Sequence, residues 1–295
     1  MCVNDAKARP ANVFADIEVI GGSRVERIVF DGPRAVAVEG DAAGEPFKVT
    51  FERLVVACGG IENVALLRRS ALPGSVGERI GRHYQDHTTC EVLGVLPRPF
   101  ERYRLGAEGG IEIPELSGCF EGLEVKTIML PTALTPEQIA AVAGGVGSNA
   151  ALLADVPRLL ERTACFYLQM EVPPEWDLRL RTRGGEGYIQ ASAYLRHLPL
   201  LDAVVMQVAR RMSSAGITVA GMLPHHRAGF GGHHYAGTTP MSSHANAVVD
   251  HNLRLIGTEN VYVNGGSVIP RCGGSGPTLT IAALGLRLGA HLAAS

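Results

Sequence analysis

The last third of the chain restricts its fold more than any other part. Asn260-Val261-Tyr262-Val263-Asn264 has the branched and aromatic content of a β-strand, and Gly265-Gly266 end it. Gly273-Gly274-Ser275-Gly276 then lead into Pro277, which suits the first turn of a helix because its missing N–H costs nothing there. Beyond Thr278 the strongly polar side chains are Thr280, Arg287 and His291, which share one face by their spacing. The remaining Leu, Ile and Ala predict a helix buried on most of its circumference. Such a helix start is an anion site, since free N–H groups and the positive dipole end point outward. Glycines ahead of it let a large flat ligand approach the backbone closely.

Order and spacing add to this. His234-Tyr235-Ala236-Gly237-Thr238-Thr239-Pro240-Met241 is followed by Val248-Val249-Asp250, by Asn260 to Ser267 and by Gly276-Pro277-Thr278-Leu279-Thr280-Ile281. This series resembles the C-terminal signature of the glucose–methanol–choline (GMC) family of flavin oxidoreductases. The position of His234, four residues before Thr238, most resembles the sugar-oxidising, pyranose-oxidase-like members. The resemblance implies FAD, with the helix start near the pyrimidine edge of the isoalloxazine, where the dipole stabilises negative charge on reduced flavin. It implies cofactor contacts from Asn264, Gly265, Gly266, Ser267, Gly276, Pro277 and Thr278.

With 295 residues the chain holds one large or two medium domains and a substantial core. A net charge of −2 and a pI near 6.6 give no electrostatic case for nucleic acid or an anionic membrane. Six cysteines are scattered without a C-x-x-C, so no staple framework or zinc site is visible, and a reducing cytoplasm is the expected location. Residues Met1 to Asp16 carry charges and Pro10 but no apolar signal core, and no apolar run reaches spanning length.

Residues 1–60 read mostly as β. Ile17 to Ile20, Val25 to Phe30 and Ala35 to Glu39 are short β-rich runs separated by Gly21-Gly22 and Asp31-Gly32-Pro33, and Phe47 to Thr50 follows. Arg53 to Cys58 is apolar on both faces, as expected of a buried parallel strand. Gly59-Gly60 and a helix from Ile61 to Ser70 come next. For Gly59 and Gly60 two readings stand side by side: a tight turn, or direct contact with the cofactor. The full G-x-G-x-x-G fingerprint is absent from the sequence. Cys2-Val3-Asn4-Asp5-Ala6-Lys7 already resembles a Cys–x–x–Gly–Ala–Lys segment that lies well inside family members. The resemblance therefore implies that the ADP-binding βαβ unit is missing, and that a second polypeptide carrying it is the expected partner.

Gly81-Arg82-His83-Tyr84-Gln85-Asp86-His87 resembles the family's Gly–Arg–Asn–x–x–Asp–His element. His83 and His87 have the spacing of one helix face, which admits a metal; with no H-E-x-x-H glutamate and no third ligand nearby, a hydrogen-bonding role beside the cofactor is the preferred reading. From residue 88 to 225 prolines and glycines break the pattern. A partly helical stretch from Leu134 to Leu160, strands at Cys165 to Glu171 and Leu178 to Arg181 around Pro173-Pro174, and an amphipathic helix from Leu200 to Met212 suggest α+β. Gln169 and Glu171 alternate with Leu168 and Met170, a pattern that admits a face lining a pocket; a solvated sheet face is the preferred reading. His225 and His226 are expected as loop residues, and His197, His244 and His251 have no persuasive context.

The expected architecture is thus α/β plus α+β. An incomplete FAD-binding, Rossmann-like domain (1–87 and 228–295) carries an inserted antiparallel-sheet substrate domain (88–227). Oxidising an alcohol with a flavin needs a base for the hydroxyl proton, and histidine changes form near neutrality. The resemblance gives that role to His234, with His233 as the alternative. The family's second catalytic residue, a histidine or asparagine, stands where this chain has Gly276. Three functional readings follow: a subunit or fragment of a FAD-dependent sugar or alcohol oxidoreductase, a catalytically inactive or scaffold subunit, and a histidine-rich metal enzyme.

Overall fold

Two glycine-closed hairpins come first among the described residues. The computed structural model describes residues 17–99, 115–131, 162–183, 186–190, 192–229, 231–243 and 245–295, with short pieces at 104–105 and 111–112 and residues 151 and 155. Strands β1 (Ser23–Asp31), β2 (Arg34–Ala42) and β3 (Glu45–Thr50) form an antiparallel meander in that order. Gly32 at φ 58° and Gly44 at φ 93° make its two turns, which a side chain strains. Ile28, Ala35, Ala37 and Val38 turn into the core.

A buried amide, Asn260, and the Ser70 hydroxyl, which accepts from the Ile28 N–H at 2.9 Å, help tie the meander to the rest. Asn260 Oδ1 accepts from the Ala35 N–H at 2.9 Å, and its Nδ2 donates to the carbonyls of Ala35 at 2.8 Å and Glu52 at 2.7 Å. Asn260 immediately precedes β14 (Val261–Val263), which pairs in parallel with β4 (Leu54–Val56), Val261 opposite Leu54. From β4 the chain turns at Gly59 (φ 89°) into α1 (Gly59–Arg69), whose Val64, Ala65, Leu66 and Leu67 are buried.

A second, larger sheet has the order β13-β5-β10-β9-β8 and is antiparallel throughout. Its strands are β5 (Thr88–Val95), β8 (Glu115–Phe120), β9 (Leu123–Pro131), β10 (Thr163–Met170) and β13 (Thr218–Leu223). Two small ladders join Arg104–Leu105 to Ile111–Glu112 (β6, β7) and Arg179–Arg183 to Glu186–Gln190 (β11, β12). After a single turn at Ser192–Leu195 (α2), helix α3 (Leu198–Ser214) packs against β13. It buries Leu201, Val204, Val205, Val208, Ala209 and Met212, the i, i+3, i+4 stripe that its sequence predicts. Helix α4 (Thr278–Ala294) closes the chain.

Several expectations are corrected. Ile17 to Ile20 is not a strand: nothing pairs with it, and Ile17, Val19 and Ile20 are exposed. The strand at Arg53 to Cys58 shortens to β4, and Val55, on the strand face opposite the buried Val56, is 41% exposed. Helix α4 is not wrapped by the fold; Leu288 is its one buried residue, while Leu279 and Leu286 are 83% and 79% exposed. Gln169 and Glu171 are buried rather than solvated, with Glu171 Oε1 held 2.7 Å from Arg271 Nε. His226 is also buried, its Nε2 2.8 Å from Asp202 Oδ1. His83 and His87 share no helix face, because the chain there is not helical and His83 sits at φ 54°. The Cys2–Lys7 segment, the 134–160 helix apart from residues 151 and 155, and His244 lie outside the described residues.

Candidate active site

Three segments distant in sequence meet where β5 begins, and two buried polar residues join them. Gln85 exchanges both main-chain hydrogen bonds with Ala236, at 3.0 and 2.9 Å. Its side-chain oxygen accepts from the Cys272 N–H at 2.9 Å and its Nε2 donates to the Pro270 carbonyl at 2.9 Å. Asp86 Oδ1 accepts from two backbone N–H groups, those of His87 at 2.7 Å and His234 at 2.8 Å. Burial raises the Asp86 carboxyl pKa, and those two donors oppose the rise.

Within this frame the His87 and His234 rings meet edge to face, their centroids 4.9 Å apart at 82°. Their Nδ1 atoms are 2.8 Å apart, and His87 Nε2 is 2.8 Å from the Gly273 carbonyl oxygen. Burial pushes the His87 pKa down to about 4. His234 is half-buried; burial lowers its pKa as well, with the Asp86 charge acting against it. A Cβ on Gly276 would lie 3.4 Å from His234 Nε2, so the ring's second nitrogen faces the gap that this glycine leaves. His233 is directed elsewhere: it is exposed, at φ 55°, with Nδ1 3.2 Å from the Tyr235 hydroxyl. Of the two histidines singled out in the sequence, the fold brings His234 alone to the junction. A cleft of ≈ 350 Å³ adjoins it, lined by Ile61, Tyr84, Asp86, Tyr194 and Tyr235 among others.

The glycines at the strand ends fall into two groups. Gly60 and Gly266 grip the Tyr235 backbone: a Cβ on Gly60 would lie 2.5 Å from Tyr235 Cβ, and one on Gly266 would overlap the Tyr235 carbonyl. Packing therefore requires both, whatever they do for a ligand. Gly59 and Gly276 are exposed, and at Gly59 a Cβ would meet nothing. Asn63 performs a role that the sequence reading missed. Its Oδ1 accepts from the Cys58 N–H at 2.8 Å, and its Nδ2 donates to Ser267 Oγ at 2.8 Å and to the Asn264 carbonyl at 3.4 Å. It thereby stitches the β4–α1 turn to the end of β14; the available signal was an asparagine inside an apolar helical run. Ser267 is fully buried, Pro277 caps α4, and Thr278 opens that helix exposed to solvent.

Comparison with known families fits this frame. Residues 7–89 match the N-terminal family model of GMC oxidoreductase, and residues 205–285 match the C-terminal one. Together they cover more than half of the sequence. The chain belongs to the GMC oxidoreductase family. The cofactor of this family is FAD. Among solved structures, pyridoxine 4-oxidase from "Mesorbium loti" is similar with a TM-score of 0.60 at 18% identity. The similarity covers 92% of this chain and 57% of that one, so the chain spans little more than half the length of that enzyme. No curated protein matches.

One sequence expectation is overturned here. The family's N-terminal part is represented, at residues 7–89, and is not missing. Within those residues lie β4, Gly59-Gly60 and α1. The residues proposed to touch the cofactor suit a flavin. Asn264 Oδ1 is buried and has no hydrogen-bond partner, so it is an acceptor in waiting, while Gly59, Gly276 and the start of α4 leave backbone open to a flat ring. A ring edge bearing both N–H and C=O groups can use these. No described helix is long and apolar enough to cross a membrane.

Proposed function

We propose that this chain forms the catalytic part of a FAD-dependent oxidoreductase acting on a sugar or another alcohol. The observation that carries the reading is the placement of His234. One ring nitrogen is engaged by a buried neighbour, its backbone N–H is anchored on Asp86, and its Nε2 faces the Gly276 gap at the start of α4. When bound, FAD would supply the acceptor for the hydride of the alcohol carbon. His234 Nε2 takes the hydroxyl proton, a role suited to an imidazole held neutral by partial burial. Asn264, Gly265, Gly59 and, at the start of α4, Gly276, Pro277 and Thr278 would hold the ring; Gly60, Gly266 and Ser267 keep that cradle in shape.

A second polypeptide belongs to the proposal. Although residues 7–89 match the family's N-terminal model, the sequence contains no G-x-G-x-x-G, and the exposed Leu279 and Leu286 give α4 an apolar face suited to a partner that carries one. Purified alone, the chain should be colourless; with the partner it should show flavin absorbance. A flavin-loaded preparation of the chain by itself would remove the partner from the proposal.

The base is tested in the flavin-loaded protein. His234→Ala should keep the flavin spectrum and slow its reduction by substrate by ~10²–10⁴-fold. Reduction at the unaltered rate, with His233→Ala inactive, would transfer the role to His233. The inactive or scaffold reading rests on Gly276, which offers no second side chain for the substrate oxygen. It gains if flavin binds and no sugar or alcohol reduces it.

A further inference from the structure

The reading of His234 as base leaves open which of its nitrogens is bare, and the hydrogen-bond chain through His87 decides this. A carbonyl oxygen can only accept, so His87 Nε2, 2.8 Å from the Gly273 carbonyl, carries a proton. A neutral imidazole has one N–H, so His87 Nδ1 is then an acceptor. The atom facing it at 2.8 Å, His234 Nδ1, must donate. His234 is left with its proton on Nδ1 and a lone pair on Nε2, the atom beside Gly276. We propose that His87 is the positioning residue for His234, holding it as the Nδ1–H tautomer so that Nε2 is the base.

The surroundings agree. His87 is fully buried, and burial pushes its pKa to about 4, so it is neutral with a single N–H near pH 7. Cys272 Sγ lies 3.9 Å from His87 Nε2, too far to compete with the carbonyl, and burial pushes that thiol up to about 12. Asp86, which faces the pair from the segment before β5, binds backbone N–H groups rather than either ring. His233 and Lys126 act on His234 only through their charge. Asp86 therefore fixes the position of the His234 backbone, while His87 fixes its tautomer. This proposal rests on the proposed base, yet it is tested without turnover.

Nitrogen-15-labelled histidine in the full chain reports the protonation of each ring nitrogen by NMR, with His87→Leu and His234→Gln spectra to assign the two rings. The expected result near neutral pH is a protonated Nδ1 with a bare Nε2 at His234, and the reverse at His87. A protonated Nε2 at His234 in the unaltered chain overturns the proposal, and this outcome needs no variant to fold. In His87→Leu the Nε2–H form of His234 should gain population. His87→Asn, whose amide oxygen replaces Nδ1 as acceptor, should restore the Nδ1–H form. Persistence of a pure Nδ1–H form in His87→Leu also overturns it. In the flavin-loaded protein His87→Leu should lower the rate of flavin reduction while leaving the substrate concentration at half-saturation nearly unchanged, and His87→Asn should recover most of the loss. If the tautomers are as stated and His234→Ala still reduces flavin normally, the base assignment fails while the role of His87 in setting the tautomer stands.

Discussion

The junction at His234 and the helix α4 that starts beside it solve opposite problems with neighbouring residues. At the junction almost every polar group is met from within: Gln85 and Asp86 alone bind backbone groups of Ala236, Pro270, Cys272, His87 and His234. On α4 the situation is reversed, with an apolar helix of which Leu288 alone is buried. Burial without pairing is costly for polar groups, so a site that must hold a carboxylate and two imidazoles away from water needs its partners built in. Apolar surface carries no such local demand and can wait for whatever covers it. The chain fixes its chemistry internally and leaves its outer packing open.

The largest effect that can break this contrast is at His234. If the junction is a catalytic device and not merely a polar core, His234→Ala should cost ~10²–10⁴-fold in flavin reduction with little change in thermal unfolding. Next comes the acid response of the buried pair. The His87 pKa lies at about 4 when folded against an ordinary 6.5, so the unfolded chain takes up the proton first as pH falls. That stability is complete above pH 6.5 and is lost on descent towards 4, with a ceiling of about 3 kcal/mol at ~1.36 kcal/mol per unit. The lowered pKa of His234 has the same sign and the raised pKa of Asp86 the opposite one. Denaturant unfolding followed over that window should therefore be flatter in His87→Asn than in the unaltered chain; equal slopes would exclude His87 as the source.

Smaller is the effect of overfilling the clamp on Tyr235. Gly60→Ala and Gly266→Ala each force a methyl into backbone or Cβ atoms, at a cost of roughly 1–3 kcal/mol by chemical denaturation. A neutral result would mean that the clamp yields and the junction is looser than its contacts suggest. Smallest is the change on the open side. Leu279→Lys with Leu286→Lys should alter the stability of the chain by less than ~0.5 kcal/mol, because neither side chain is packed, while reducing self-association in sedimentation. A large loss of stability would abolish the contrast between closed junction and open helix.

How much of this was legible in the sequence follows the same division. The meander strands, α1 and α3 follow from turn glycines and from apolar spacing, both local properties. His234 and Gly276 stand out through a multi-residue resemblance, and the structure puts them face to face. The failures concern neighbours. Apolar content shows that α4 favours burial, not that the fold supplies a surface for it. Alternation along β10 and the residue after it separates two faces but cannot tell that both are covered, so it misplaces Gln169 and Glu171. The spacing of His83 and His87 suggests a helix that the left-handed backbone at His83 rules out, and the true partner of His87 lies 147 residues away. Asn63 goes unnoticed because one amide in a helix gives no sign that three segments depend on it.

The two kinds of glycine around His234 set how freely this site can change. Gly60, Gly266 and Gly237 each stand against backbone or a buried side chain, and Gly237 also has φ 73°, so a saturation library should return almost nothing but glycine at these three. Gly276 has an ordinary backbone angle, solvent on one side and only the His234 ring within ordinary contact on the other. It is the place where a side chain can be added next to His234 Nε2 without moving the scaffold. On the proposed function, substrate preference would thus drift through a single codon while selection holds the surrounding glycines fixed.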